Sequence, residues 1–180
     1  MRKLTMTELN RLSVEEFRSA EKNRVIIVLD NIRSQNNVGS VFRTADAFLA
    51  EAVYLCGITA TPPHREIHKT ALGATESVNW RYFEETREAL TELRTNGYYI
   101  IAVEQTDKSI PLNEFLHPEG KKLALLFGNE VNGIEEELLE LADLSIEIPQ
   151  LGTKHSINIS VAVGIVLWDL LNRGKKLINK

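Results

Sequence analysis

The feature that most constrains this chain is the alternation of short, β-branched apolar runs with segments of helical period. Residues 25–29 read Val-Ile-Ile-Val-Leu, an unbroken apolar run of strand length that suits a parallel strand buried on both faces. Within residues 38–49, Val38, Val41, Phe42, Ala45 and Phe48 recur at the spacing of one helix face. Further strands are predicted at 52–56, 78–83, 98–103, 123–127 and 145–148. Helices are predicted at 86–96, where Gly97 suits a left-handed cap, at 134–141, and at 158–172, which is apolar on most sides. Strand and helix alternating through the chain predict an α/β fold, a parallel sheet flanked by helices on both faces. Without repeat, linker or low-complexity run, residues 23–180 are read as a single domain. Residues 1–22 are read as an N-terminal helical extension, with Ser13 and Glu16 at capping-box spacing ahead of Phe17. Residues 57–77 are expected to be irregular.

Composition narrows the class. A chain of 180 residues with 43% hydrophobic and 26% charged residues can bury a core without staples. Its lone cysteine, Cys56, excludes an intramolecular disulfide, and at the end of an apolar run it reads as plain core. The first residues lack the apolar run of a signal peptide, and no stretch is long enough to span a bilayer, so a cytoplasmic, membrane-free protein is expected. Net charge is −4, but unevenly placed. Glu135, Glu136, Glu137, Glu140, Asp143 and Glu147 crowd one region, while Arg173, Lys175, Lys176 and Lys180 close the chain. A local basic face is therefore compatible with overall acidity.

Chemistry is expected where strands give way to loops, since ligand sites in open α/β sheets form beyond the carboxyl ends of strands. Three segments qualify: Asn37-Val38-Gly39-Ser40-Val41-Phe42-Arg43-Thr44-Ala45; Gly128-Asn129-Glu130-Val131-Asn132-Gly133; and residues 148–160, Ile-Pro-Gln-Leu-Gly-Thr-Lys-His-Ser-Ile-Asn-Ile-Ser. Together they suggest one pocket built from three loops. Gly39 is read as permitting close backbone approach at a helix start, with Arg43 one turn further in. The helix dipole disfavours a cation there, so Arg43 reads either as a surface ion pair or as a phosphate or carboxylate clamp. Glu130 could hold a cationic ligand group or cap the next helix. Ser156 or Asn158 could be the N-cap of the last helix. The second segment has neither the three glycines of a dinucleotide site nor the lysine of a P-loop. His155 beside Ser156 lacks a nucleophile elbow. His64, Arg65, His68 and Lys69 fit a polar patch facing phosphate better than a metal site, and no metal is expected.

Taken together and in order, the three segments resemble the three motifs of the SpoU (TrmH) family of SPOUT methyltransferases. The first is matched by Asn37, Gly39, Arg43, Thr44 and Ala45. The second is matched by Gly128, Glu130 and Gly133, and the third by Ile148, Pro149, Ser156, Asn158 and Ser160. Ile157 and Ile159 stand where Leu and Val are commoner, and apolar character is kept. The likeness covers about residues 24–172.

The resemblance implies a fold with a C-terminal deep trefoil knot, which sequence rules alone would not suggest. It implies a homodimer and S-adenosylmethionine as cofactor, held bent in the knotted loops. The reaction implied is methyl transfer to a ribose 2′-hydroxyl of tRNA or rRNA. Arg43 would engage the RNA, and Asn37, Glu130, Ser156 and Asn158 would complete the catalytic set. Cofactor contacts are expected near Val103, Leu126, Gly128, Ile148, Gln150 and Ile157. RNA contacts are expected from Arg33, Arg65, Lys69, Lys175 and Lys176. The alternative is a dimeric RNA-binding or assembly factor that keeps the fold but has lost catalysis.

Overall fold

The apolar run at 25–29 is the middle of a central strand. In a computed structural model that describes residues 1–5, 7–153 and 155–173, it belongs to β1 (Asn23–Asp30). The elements that follow are α2 (Gln35–Ala47), β2 (Ala50–Cys56), α3 (Arg65–Ala71), α4 (Ala74–Ser77), β3 (Trp80–Phe83), α5 (Thr86–Thr95), β4 (Tyr98–Val103), β5 (Ile110–Pro111), β6 (Lys122–Phe127), α6 (Glu136–Leu139), β7 (Leu144–Glu147) and α7 (Ile159–Arg173), with α1 (Val14–Ser19) ahead of β1.

The strands form one seven-stranded sheet in the order β3-β2-β1-β6-β4-β7-β5, parallel throughout. Alternate residues along each strand face opposite layers. Val25, Ile27, Leu29, Leu123, Leu125 and Phe127 pack against α2, α3 and α7 through Val41, Phe42, Ile67, Val163 and Leu167. Ile26, Val28, Ala102, Ala124 and Leu126 pack the other way, against Ala89, Leu90 and Leu93 of α5 and Leu138 of α6. The predicted α/β sheet covered on both faces is thus present.

Several boundaries differ from the sequence reading, each for a local reason. Residues 57–77 are not an irregular loop but carry α3 and α4. His64 caps α3, its Nδ1 accepting the Glu66 N–H at 3.3 Å, and Ile67 and Ala71 supply a buried stripe that the preceding Pro62 and Pro63 mask in the sequence. The helix expected over 134–141 shrinks to α6 because Gly133 turns at φ +68° just before it. A run of like charges at Glu135, Glu136 and Glu137 also offers it no i,i+4 support. Among the described residues of the N-terminus, only α1 is regular. Its capping box is made as expected, with Ser13 Oγ accepting the Glu16 N–H and Glu16 accepting the Ser13 N–H, and Phe17 is its only buried residue. The short β5 was not foreseen. It pairs with β7 and delivers Leu112 and Phe115 to the core.

Candidate active site

The C-terminal ends of β4, β6 and β7 point the same way in a parallel sheet, so the loops that leave them converge. They enclose a cavity of about 650 Å³, within the range of small-molecule sites. Its apolar walls include Val103, Phe127, Ile134, Ile148, Ile157 and Ala162. Glu104, Gln105, Asn129, Glu130, Gln150, Ser156 and Asn158 add polar groups.

The 128–134 loop closes on itself through reciprocal backbone bonds, Asn129 N–H to Gly133 O at 3.1 Å and Gly133 N–H to Asn129 O at 2.9 Å. Both glycines are required. A Cβ on Gly128 would run into the backbone of Gly133 and Ile134, and Gly133 adopts φ +68°. The Asn129 amide ties this loop to the end of β1 by donating to Asn31 O at 2.8 Å.

One side chain from each of the three sequence segments meets here. Asn158 Nδ2 donates to Asn37 Oδ1 at 3.1 Å, and Asn37 Nδ2 donates to the Glu130 carboxylate at 3.2 Å. The other Glu130 oxygen accepts the Arg33 N–H at 3.3 Å. Burial opposes the Glu130 charge, but N–H donors from its own backbone, Arg33, Asn37 and Ser34 outweigh it and hold the carboxyl below the ordinary carboxylate range. Glu130 therefore does not cap the helix that follows it. It sits at the start of α2, where Ser34 is the N-cap and accepts the Asn37 N–H at 3.3 Å. Asn158 is the residue that caps α7. Its Oδ1 accepts from Ser160 N at 2.9 Å and Ser160 Oγ at 2.7 Å, which leaves its amide NH₂ for Asn37. Ser156 lines the cavity.

Two expectations for the first segment are corrected. Gly39 lies in the second turn of α2, not at its start, and its close approach is to α3. A Cβ there would collide with Thr70 Oγ1 and Ile67 O. Because α2 begins at Gln35, Arg43 lies in mid-helix and the dipole argument does not apply to it. Its side chain is exposed, on the same strip as Asn36 and Ala47, makes no hydrogen bond or ion pair among the described residues, and does not line the cavity of its own chain.

Of the expected cofactor contacts, Val103, Gly128, Ile148, Gln150 and Ile157 line the cavity. Leu126 does not. The strand alternation turns it to the opposite layer, fully buried with Val28 and Ala102, and Phe127 takes the cavity wall instead. Among the expected RNA contacts, Arg33 is exposed. Arg65 and Lys69 are exposed and lie 3.9 and 3.8 Å from Glu66. Lys175 and Lys176 lie outside the described residues. Sequence reasoning missed Glu104, Gln105 and Asn129. Glu104 and Gln105 directly follow β4, and the rule that sites gather beyond strand ends would have found them. Cys56 is fully buried, with its thiol pushed up to about 12 by burial, which fits a core residue.

The model of the SpoU rRNA methylase family matches residues 24–168. The chain is 30% identical over 171 residues to a tRNA (guanosine(18)-2′-O)-methyltransferase of Borreliella burgdorferi, covering 95% of this chain and 77% of that protein. The Thermus thermophilus protein of the same name is 29% identical over 163 residues, 91% of this chain and 82% of its own. Among solved structures, the AdoMet-bound rRNA methyltransferase from Sinorhizobium meliloti superposes with a TM-score of 0.78 at 27% identity, over 88% of this chain and 60% of its own length. The A. aeolicus TrmH/SpoU tRNA modifying enzyme gives 0.78 at 25% identity, over 90% and 81%. The match across most of its length, on a fold and motif geometry that agree, makes this chain a member of the SpoU family of RNA methyltransferases.

Proposed function

We propose that this chain methylates a ribose 2′-hydroxyl of RNA, tRNA or rRNA, with S-adenosylmethionine bound in the three-loop cavity. The observation that carries the reading is the Asn158–Asn37–Glu130 chain, which joins all three family segments at the mouth of that cavity. The site fits the cofactor. Val103, Ile148 and Ile157 offer apolar walls for an adenine ring, and the carboxylates of Glu130 and Glu147 offset positive charge. When bound, S-adenosylmethionine supplies an electrophilic methyl group on a sulfonium.

The residues of the chain then orient and hold. Glu130, kept ionised by its donors, is a weak base. It anchors Asn37, whose amide is thereby fixed along with that of Asn158. A guanidinium is a poor proton acceptor, so Arg43 grips RNA phosphate and aligns the hydroxyl rather than removing its proton. Ser156 lines the path between cofactor and hydroxyl. Because Arg43 stands outside the cavity of its own chain, it serves the site of a second copy. A homodimer is supported by the apolar surface left on α7, where Trp168 is 63% and Val161 51% exposed and Trp168 stands edge-on to Phe48, ring centroids 6.4 Å apart. Arg33, Arg65, Lys69, Lys175 and Lys176 extend the RNA surface. The C-terminal segment forms the trefoil knot, residues 23–180 act as one domain, and residues 1–22 form an extension to it. No described helix is long and apolar enough to cross a membrane, and we place the protein in the cytoplasm.

Titration calorimetry with S-adenosylhomocysteine tests the cofactor site. Binding of one ligand per chain is expected. No heat and no thermal shift at millimolar ligand would contradict the reading.

A further inference from the structure

The cavity has three loop walls, and two consecutive residues hold the first wall to the other two. Glu104, the first residue past β4, accepts the Ile134 N–H on Oε2 at 3.1 Å, at the far end of the 128–134 loop. Its second oxygen accepts the Gln105 N–H at 2.9 Å. Gln105 in turn sends its amide Nε2 to His155 O at 3.1 Å, in the loop between β7 and α7. The backbone of Glu104 is itself fixed to β7, by its N–H to Ile146 O at 3.0 Å and by Ser145 Oγ donating to its carbonyl at 2.8 Å. Gly133 is shaped to this arrangement, because a Cβ there would strike Glu104 Oε2. The 128–134 loop is thus held at both ends. Asn129 and Glu130 bind it to β1 and α2, and Glu104 binds it to β4.

We propose that Glu104 and Gln105 are positioning residues for the cofactor cavity. They set affinity for S-adenosylmethionine by keeping the 128–134 and 150–158 loops at the separation the ligand needs. The inference rests on the cofactor reading above. Loops fixed before binding do not have to be ordered by the ligand, and that saving appears as affinity. Gln105 is exposed, so its bond to His155 adds little to overall stability, which separates its role from that of a core residue.

The test is calorimetry with S-adenosylhomocysteine on full-length wild type, Glu104→Gln, Glu104→Ala and Gln105→Ala, with the melting temperature of each unliganded protein. Gln105→Ala is expected to bind about five- to tenfold more weakly at an unchanged melting temperature. Glu104→Ala is expected to bind about thirtyfold more weakly, and Glu104→Gln, which keeps an acceptor for the Ile134 N–H, should recover to within about threefold of wild type. Wild-type affinity in Gln105→Ala would overturn the proposal even if Glu104→Ala failed to fold. A Glu104→Gln defect as large as that of Glu104→Ala would also overturn it, since charge rather than loop position would then matter. If wild type itself bound nothing, the cofactor reading would fail first.

Discussion

Two carboxylates stand at the C-terminal edge of neighbouring strands, and their pKa values are pushed in opposite directions. Asp30 closes β1 and Glu130 follows β6, its sheet neighbour. Asp30 is 2% exposed. Burial raises its pKa, a hydrogen bond from Thr86 works against that, and the nearby Glu135 charge adds to the rise. It lies in a cleft with Glu84, Glu85, Glu135 and Glu137. Glu130 is also desolvated, but four donors converge on it and its pKa falls. Asp30 is buried and Glu130 is exposed, so depth of burial and the supply of donors together push the two pKa values in opposite directions. One donor is Glu130's own backbone; the others are Arg33 and Ser34 just ahead of α2 and Asn37 in its first turn. The half of the edge bearing β6, β4 and β7 therefore carries a carboxylate tied to family motif residues, and the β1–β3 half carries a crowded acidic cleft in which donors from Thr86 and Asn31 do not offset the burial of Asp30.

Losing a motif residue should cost activity. The largest effect is expected from Arg43→Ala, a loss of methyl transfer of about 100-fold or more, equivalent to about 2.7 kcal/mol in the barrier. Cofactor affinity should be unchanged, since Arg43 lies outside the cavity. Arg43→Lys should be poor as well, because an ammonium lacks the planar fork. Single-turnover rates at saturating cofactor measure both. Near-wild-type turnover in Arg43→Ala would remove its assignment.

Next in size is the contrast between the two acids. Glu130→Ala leaves the Arg33 N–H and the Asn37 amide without their acceptor, and partial exposure limits the cost to about 1 kcal/mol in urea unfolding. Asp30→Asn should cost nothing at neutral pH, because the side chain that burial penalises is the charged one. Equal losses in both would erase the comparison.

The acids should also respond oppositely to pH. The folded pKa of Glu130 lies below its unfolded value, so its contribution is complete above the unfolded pKa and is lost as pH falls through the folded one. The folded pKa of Asp30 lies above its unfolded value, so stability is lost as pH rises from the unfolded pKa through the folded one. Removing Glu130 should flatten the acid limb of the stability curve, and removing Asp30 should flatten the rise in cost above it. The smallest effect is expected at Cys56. Buried, with its thiol held near 12, it should resist alkylation in the native state and react only on unfolding.

How much of this was legible in the sequence follows from where each constraint acts. The strands were readable because burial on both faces demands unbroken apolar runs such as 25–29 and 123–127. Three of the catalytic candidates, Asn37, Glu130 and Asn158, were legible only as members of motifs. That they bond to one another depends on contacts 93 and 121 residues apart in the chain. Leu126 was misplaced by a single residue, which in a strand turns a side chain to the other face. Glu104 and Gln105 could have been placed at the site by their position just past β4, but their role could not be read, because it lies in bonds to two distant loops. The α3 helix was hidden by the proline pair ahead of it, and its cap is a histidine, a rare choice for that position.

The central claim is methyl transfer from the three-loop cavity to RNA. Its most direct test is incubation of the purified protein with S-adenosylmethionine labelled on the methyl group and total RNA, followed by digestion to nucleosides. The account predicts label in 2′-O-methyl nucleosides, cut about 100-fold or more when Arg43→Ala replaces wild type. Label confined to a base, or a protein that binds cofactor yet labels no RNA, would contradict it.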